Sequence, residues 1–294
     1  GSDGHAITGL NFKPDWIWIK SRSVNVGHFI VDSLRMSGTS HYKINSGSTS
    51  AESDGSTRFT SIDSGSGTNN GFTLPSGGTF TNGNGSTYVA WNWNAGTSTV
   101  TNNDGSISTQ VRANTTAGFS IVTYTGTGSN ATVGHGLGVA PKCFIVKRRD
   151  TSSDWGVYHY EIGTAGLKLN ATDASANEPW WNGHPSSSVI NLKTSATING
   201  SGATYVGYIF SEVSGFSKFG SYIGNGNADG TFVFLGFRPR YVLLKRTDTT
   251  SNWNIRDTAR DPFNTTGQYL NPNLSGGEAT SSSKIDLLSN GFKH

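Results

Sequence analysis

The sequence predicts an all-β fold: tandem antiparallel, jelly-roll-like β-sandwich modules in three related copies, of which the two terminal copies are incomplete. Three observations predict it. Glycine is abundant at 39 of 294 residues, Ser, Thr and Asn are dense, and only 14% of residues are charged; this mixture favours tight turns between short strands over helices, which want Ala, Leu, Glu and Lys. No long run carries a 3.6-residue hydrophobic period. Short phrases also recur along the chain at module-sized spacing, the signature of a repeat architecture.

The first recurring element is an apolar strand led by proline: PDWIWIKSR from Pro14, PKCFIVKRR from Pro141 and PRYVLLKRT from Pro239. Each has a proline, a polar residue, a mostly apolar run and then Lys20, Lys147 or Lys245. Proline is tolerated at the first position of a strand, and the unbroken apolar run implies burial on both faces. A second strand follows across a polar turn. RRDTSSDWGVYHY from Arg148 matches RTDTTSNWNIRDT from Arg246, with Trp155 and Trp253 in register, and HFIVDSLR from His28 aligns Asp32 with Asp257 and Arg35 with Arg260. NNGFTL from Asn69 matches SNGFKH from Ser289, and SDGHAITGL from Ser2 matches ADGTFVFLGF from Ala228. The closing strand is written twice, as NGNGSTYVAWNWNAG from Asn82 and NGSGATYVGYIFSEV from Asn199, with Tyr88 and Tyr205 in register.

These markers divide the chain into a first module at 1–97, a hairpin or linker at 98–115 with its turn at Asn102 to Gly105, a second module at 116–217 and a third at 218–294. Only the second is complete, running from GFSIVTYTGTG at Gly118 to the strand that ends near Val213. The first lacks the leading strand and the third lacks the closing one. Unpaired strand edges invite association, so the expectation is an open sheet edge in each terminal module, beside the strands bearing Ile7 and Phe232, filled from outside.

The charge balance argues against a nucleic-acid binder. Twenty-two Lys and Arg against 19 Asp and Glu leave +3, and the one basic cluster, Lys147 to Arg149, is bounded by Asp150 and reads as a solvated strand end. No apolar run is long enough to cross a bilayer, and Gly1 to Gly9 is too polar for a signal segment. The single Cys143 excludes an intramolecular disulfide and a cysteine-based zinc site.

Candidate sites are few. No G-x-S-x-G elbow and no HExxH is present, and no acid, base and nucleophile set stands out, so the expectation is no enzyme and no cofactor. Asp150 and Asp154 in DTSSD form a calcium candidate, although the matching DTTSN has Asn252 in place of the second carboxylate and a hairpin turn explains both. NGNG and NGSG open strands, so they read as turns and not as phosphate cradles. Trp16 with Trp18, and Trp91 with Trp93, are spaced to share one face of a strand and read as core. EPWWNGHP has no counterpart in the other modules. Adjacent indoles beside amide and imidazole groups suit stacking on a pyranose, which makes Trp180, Trp181, Asn182 and His184 candidate contacts for a sugar or receptor. The alternative is a loop tucked under its own sandwich.

TTAGFSIVTYTGTGSNATVGHGLGVAPK, NGSGATYV, GFSKFGSYIGNGNADGTFVFLGFRP and KIDLLSNGFK resemble the repeated modules of tail-fibre-like and other virion structural proteins of tailed phages, especially marine ones. The resemblance runs from about Ser2 to Lys293. It implies a virion or extracellular-surface location, and partners among other virion proteins or copies of the chain itself. Attachment to a host-surface glycan is a subsidiary implication; nucleic acid and membrane insertion are not implied. A secreted carbohydrate-binding or adhesin array is the alternative class, and saccharide affinity lost on Trp180→Ala would favour it.

Overall fold

A computed structural model describes residues 4–37, 40–64 and 70–294. The first segment contributes β1 (His5–Ile7), β2 (Trp16–Ser21), β3 (Phe29–Asp32), β4 (Met36–Ser37), β5 (Ser40–Lys43), β6 (Ser53–Asp54), β7 (Ser61–Ser64), β8 (Asn70–Leu74) and β9 (Tyr88–Trp93). The second contributes β10 (Val100–Asn102), β11 (Thr109–Asn114), β12 (Phe119–Thr125), β13 (Ala131–Gly134), β14 (Cys143–Arg148), β15 (Trp155–His159), β16 (Leu167–Lys168), β17 (Val189–Leu192) and β18 (Thr204–Phe210). The third contributes β19 (Phe232–Phe234), β20 (Tyr241–Leu244), β21 (Asn254–Asp257), β22 (Thr266–Tyr269), β23 (Ala279–Leu288) and β24 (Gly291–Lys293). The fold is all-β, and the strand ladders are antiparallel.

The recurring phrases use one pairing scheme. Trp18 lies opposite Ile30, Ile145 opposite Val157 and Leu243 opposite Ile255, so each proline strand meets its follower with the same offset (30 − 18, 157 − 145 and 255 − 243 are all 12). The closing strands β9 and β18 pair on the other side, with Tyr88 opposite Ser21 and Tyr205 opposite Arg148. Pro14 and Pro141 stand two residues ahead of β2 and β14, and Pro239 two ahead of β20, outside the ladder that a missing N–H would interrupt. Lys20 and Lys147 fall near the ends of their strands and Lys245 just past β20.

Outside each of these sheets lies a short antiparallel pair: β1 with β8, β13 with β17, and β19 with β24. The glycine shared by NNGFTL and SNGFKH has a steric cause here. A Cβ on Gly71 would sit 1.8 Å from the Ile7 carbonyl oxygen, and one on Gly291 would sit 2.1 Å from that of Val233.

Alternation along the proline strands sends side chains into two cores. Ile17 and Ile19 join Phe29, Phe59, Phe72 and Leu74 under the first outer layer. Phe144 and Val146 do the same beneath β13 and β17, and Val242 beneath β23 and β24. The opposite faces meet in one central core that draws Trp16, Trp18 and Trp91 from the first segment, Ile145, Trp155, Val157 and Tyr208 from the second, and Trp253, Ile255 and Leu270 from the third. The three segments are therefore not independent beads: they share one core. Burial of such side chains stabilises by roughly 1.5–3 kcal/mol each.

The hairpin or linker expected at 98–115 is a hairpin: β10 pairs with β11, and the two extend the second sheet to seven strands in the order β10-β11-β12-β18-β14-β15-β16. Its turn is longer than Asn102 to Gly105, since Asn102 pairs with Thr109 and its side-chain oxygen accepts from the Asp104 N–H. β1, which bears Ile7, and β19, which bears Phe232, are both edge strands with one neighbour each, β8 and β24; among the described residues the inner sheets have open edges too, since β9 pairs only with β2 and β20 only with β21.

Candidate functional site

Much of the buried polar chemistry sits on the seams between segments. Trp155 occupies the position two residues before Val157, and its indole N–H donates to the Asn45 carbonyl at 3.0 Å and the Ser48 carbonyl at 3.1 Å in the first segment. Trp253, two before Ile255, donates to the Lys168 carbonyl of the second segment at 2.9 Å. His28, two before Ile30, reaches the Asn271 carbonyl of the third segment at 3.0 Å. The three acceptors are equivalent, since each follows a residue, Ile44, Leu167 or Leu270, that pairs across from Ile30, Val157 or Ile255. Second holds first, third holds second, and first holds third: a heterologous contact that closes into a ring within one chain.

His28 departs from tryptophan yet keeps the contact. The Trp18 indole N–H donates to His28 Nδ1 at 2.7 Å, so Nδ1 is the acceptor and Nε2 carries the proton donated to Asn271. Complete burial pushes the imidazole pKa down to about 3 and keeps the ring neutral. Lysines repeat the pattern, with Lys147 Nζ donating to the Thr49 carbonyl at 2.9 Å and Lys245 Nζ to the Thr172 carbonyl at 3.2 Å, each in the preceding segment. Desolvation lowers the Lys147 pKa to about 8.

A second layer of the seam is ionic. Asp32 and Arg35 form a fully buried pair at 2.6 Å, and the Tyr208 hydroxyl donates to Asp32 across the first–second seam at 2.7 Å. Asp257 and Arg260 form the same pair at 2.6 Å, and there the Trp91 indole donates across the third–first seam at 3.0 Å. Glu52 then bridges Arg35 and Arg149, and Glu278 bridges Arg260 and Arg22. Desolvation would lower the Arg35 pKa, but Asp32 and Glu52 outweigh it and raise it. The third seam has His159, Ile162, Ser175 and Thr247 at the corresponding places. Its backbone link survives, Ser175 N–H to Thr247 O at 2.9 Å beside Glu52 N–H to Arg149 O at 2.9 Å and Glu278 N–H to Arg22 O at 2.7 Å, while the ion pairs do not.

The residues singled out for ligand contact fare differently. Trp180 and Trp181 are only 2% and 0% exposed and pack in the second core with Phe144 and Tyr158, so neither indole offers a face to a pyranose. The correction has a physical cause: Trp181 bridges Leu192 at the end of β17, which places this loop beneath the outer layer. Asn182 and His184 remain at the surface, with His184 Nδ1 held to the Tyr158 hydroxyl at 2.7 Å. Asp150 and Asp154 do not converge. Asp150 binds Arg148 through both oxygens at 3.0 and 2.9 Å, and Asp154 accepts from Asn170 at 2.8 Å. Among the described residues no group of three or more His, Cys, Asp or Glu is placed to hold a metal ion. Cys143 is half-buried, and desolvation pushes its thiol up to about 12.

Trp155, Trp253, Tyr88 and Tyr205 stand where a repeat requires equivalent residues. Tyr205 donates to the Ala196 carbonyl and accepts from Gly200 N–H, and Tyr88 donates to the Thr79 carbonyl and accepts from Gly83 N–H, so each closes the turn that precedes its own strand. The pairing of Glu52 with Arg149 was invisible to sequence reading, because its partners are far apart in the chain. No curated protein and no solved structure matches the chain. A family model described as a domain of unknown function, DUF7483, matches residues 1–294, and the chain belongs to that family.

Proposed function

We propose that this chain is a non-enzymatic structural protein of a tailed-phage virion, a part of a tail, fibre or surface decoration, built from three related copies of one β unit closed around a common core. The observation that carries the reading is the cyclic seam. The buried Asp–Arg pairs, the bridging glutamates and the indole donors all join segment to segment, and a buried pair of this kind is costly to break by removing one partner. Catalytic groups, by contrast, keep an unsatisfied valence facing a cleft. The sequence resemblance supplies the virion location, and other virion proteins or further copies of the chain are the expected partners. Mass spectrometry of density-purified particles of the encoding phage is the test. Peptides of this chain at the copy number of a structural component are expected; their absence from intact particles, with the chain free in the lysate, would overturn the proposal.

A further inference from the structure

The ring closes at all three seams through His28, Trp155 and Trp253, but among the described residues a closing strand serves only two of them. At those two, the closing strand lies along the proline strand and sends one aromatic residue across the seam. Tyr208 lies opposite Ile145 and stacks on Trp16 of the first segment at 4.5 Å. Trp91 lies opposite Trp18 and meets Tyr241 of the third segment at 5.9 Å. In the third sheet the equivalent of Ile145 and Trp18 is Leu243, and among the described residues nothing pairs with that side of β20. The residue an incoming aromatic would cover is the counterpart of Trp16 and Tyr241, which is Cys143, with His159 opposite it in the place of Asp32 and Asp257.

Backbone groups tell the same story. Asp15 and Lys142 donate to the carbonyls of Trp93 and Phe210, and Arg22 and Arg149 donate to those of Thr87 and Thr204. The matching N–H groups of Arg240 and Thr247 make no such bond among the described residues.

A second observation points to the same gap. In the complete sheet, β18 is flanked by β12, whose Gly118-Phe119-Ser120 and Tyr124 are matched in the third segment by Gly215-Phe216-Ser217 and Tyr222. Tyr222 stands as far from Tyr124 as Pro239 stands from Pro141 (222 − 124 and 239 − 141 are both 98). Phe119 is 1% exposed in its strand, whereas Phe216 is 64% exposed and the stretch around it forms no strand; Ile223 nearby is 89% exposed. A leading strand has its neighbour in the closing strand. Without one, the same phrase stays irregular and leaves its apolar side chains in water.

We infer that the free edge of β20 is the acceptor for an antiparallel strand of the β9/β18 type, a Tyr-Val-x-aromatic segment whose aromatic lies opposite Leu243 and seats on Cys143 and His159. Seating this strand orders residues 215–224 against its far side. Main-chain hydrogen bonds supply binding and the alternating aromatics supply register, as in other strand-addition interfaces. The neutral set His159, Ile162, Ser175 and Thr247 removes the ion pairs from this seam alone, so an aromatic entering it meets no charged pair.

The test uses the intact chain and a synthetic peptide of residues 199–213, NGSGATYVGYIFSEV, with a scrambled peptide as control. Expected results are saturable binding of the native peptide only, and slowed amide exchange confined to residues 240–247 and 215–224. The same peptide carrying Tyr208→Ala should bind on the order of tenfold more weakly, since a stacked aromatic contributes a large share of such a contact. Equal binding of the scrambled peptide, no protection at saturating peptide, or protection at the β9 edge instead would overturn the inference. So would a dimer of the chain that occupies β20 and that the peptide fails to displace.

Discussion

At the scale of single residues, the seam carries groups that are costly to orphan. Removing Arg35 by Arg35→Leu leaves Asp32 buried without its cation, and a loss of about 3–5 kcal/mol is expected in denaturant unfolding. Trp155→Phe keeps the ring but strands two carbonyls, for roughly 1–3 kcal/mol. Trp180→Ala tests burial against ligand contact in one variant: a destabilisation of about 3–5 kcal/mol is expected, with no saccharide affinity to lose. His28 makes stability depend on pH. Its folded pKa, near 3, lies below the ordinary value of 6.5, so the unfolded chain binds more protons between those values. The stability it contributes is full above pH 6.5 and falls as pH drops toward 3, by at most about 1.4 kcal/mol per pH unit. Melting temperatures of the chain and of His28→Phe should therefore converge on acidification; a constant gap would show that His28 is not held neutral. Much of this was legible as position but not as role. Trp155 and Trp253 announce themselves by recurring, whereas His28 as their stand-in acquires meaning only once Asn271, far along the chain, lies against it.

Among elements, legibility followed the range of the contacts. The proline strands and their followers were readable because each hairpin closes within a short span, and the recurring offset follows from recurring loop length. The hairpin of β10 and β11 was legible from its turn residues, but its place in the second sheet was not, because its partner β12 is identified by pairing and not by any local signal. For the EPWWNGHP loop the sequence left two readings open, ligand contact or a loop tucked under its own sandwich, because burial under a second layer is decided by β13 and β17, not by the composition of the loop. The glycines of the NNGFTL and SNGFKH phrases give an element-scale prediction. Gly291→Ala pushes a methyl group into the Val233 carbonyl, so β24 must part from β19. Faster amide exchange in β19 and β24, with β14 and β15 unchanged, is the expected readout; uniform protection would show that the outer pair tolerates the side chain.

For the whole molecule, the shared core and the closed ring change what a chain of this length should do on unfolding. Tandem domains with separate cores melt separately, each with its own transition. Here Trp16, Tyr208 and Ile255 come from three segments into one core, and each segment grips the one before it. Loss of any segment exposes the inner faces of the other two. Differential scanning calorimetry of the intact chain and of Trp155→Phe tests this most directly. A single transition with matching calorimetric and van't Hoff enthalpies, shifted as a whole to lower temperature by a substitution at one seam, is the result expected of a ring around one core. Two or three resolved transitions, of which Trp155→Phe moves only one, would contradict it.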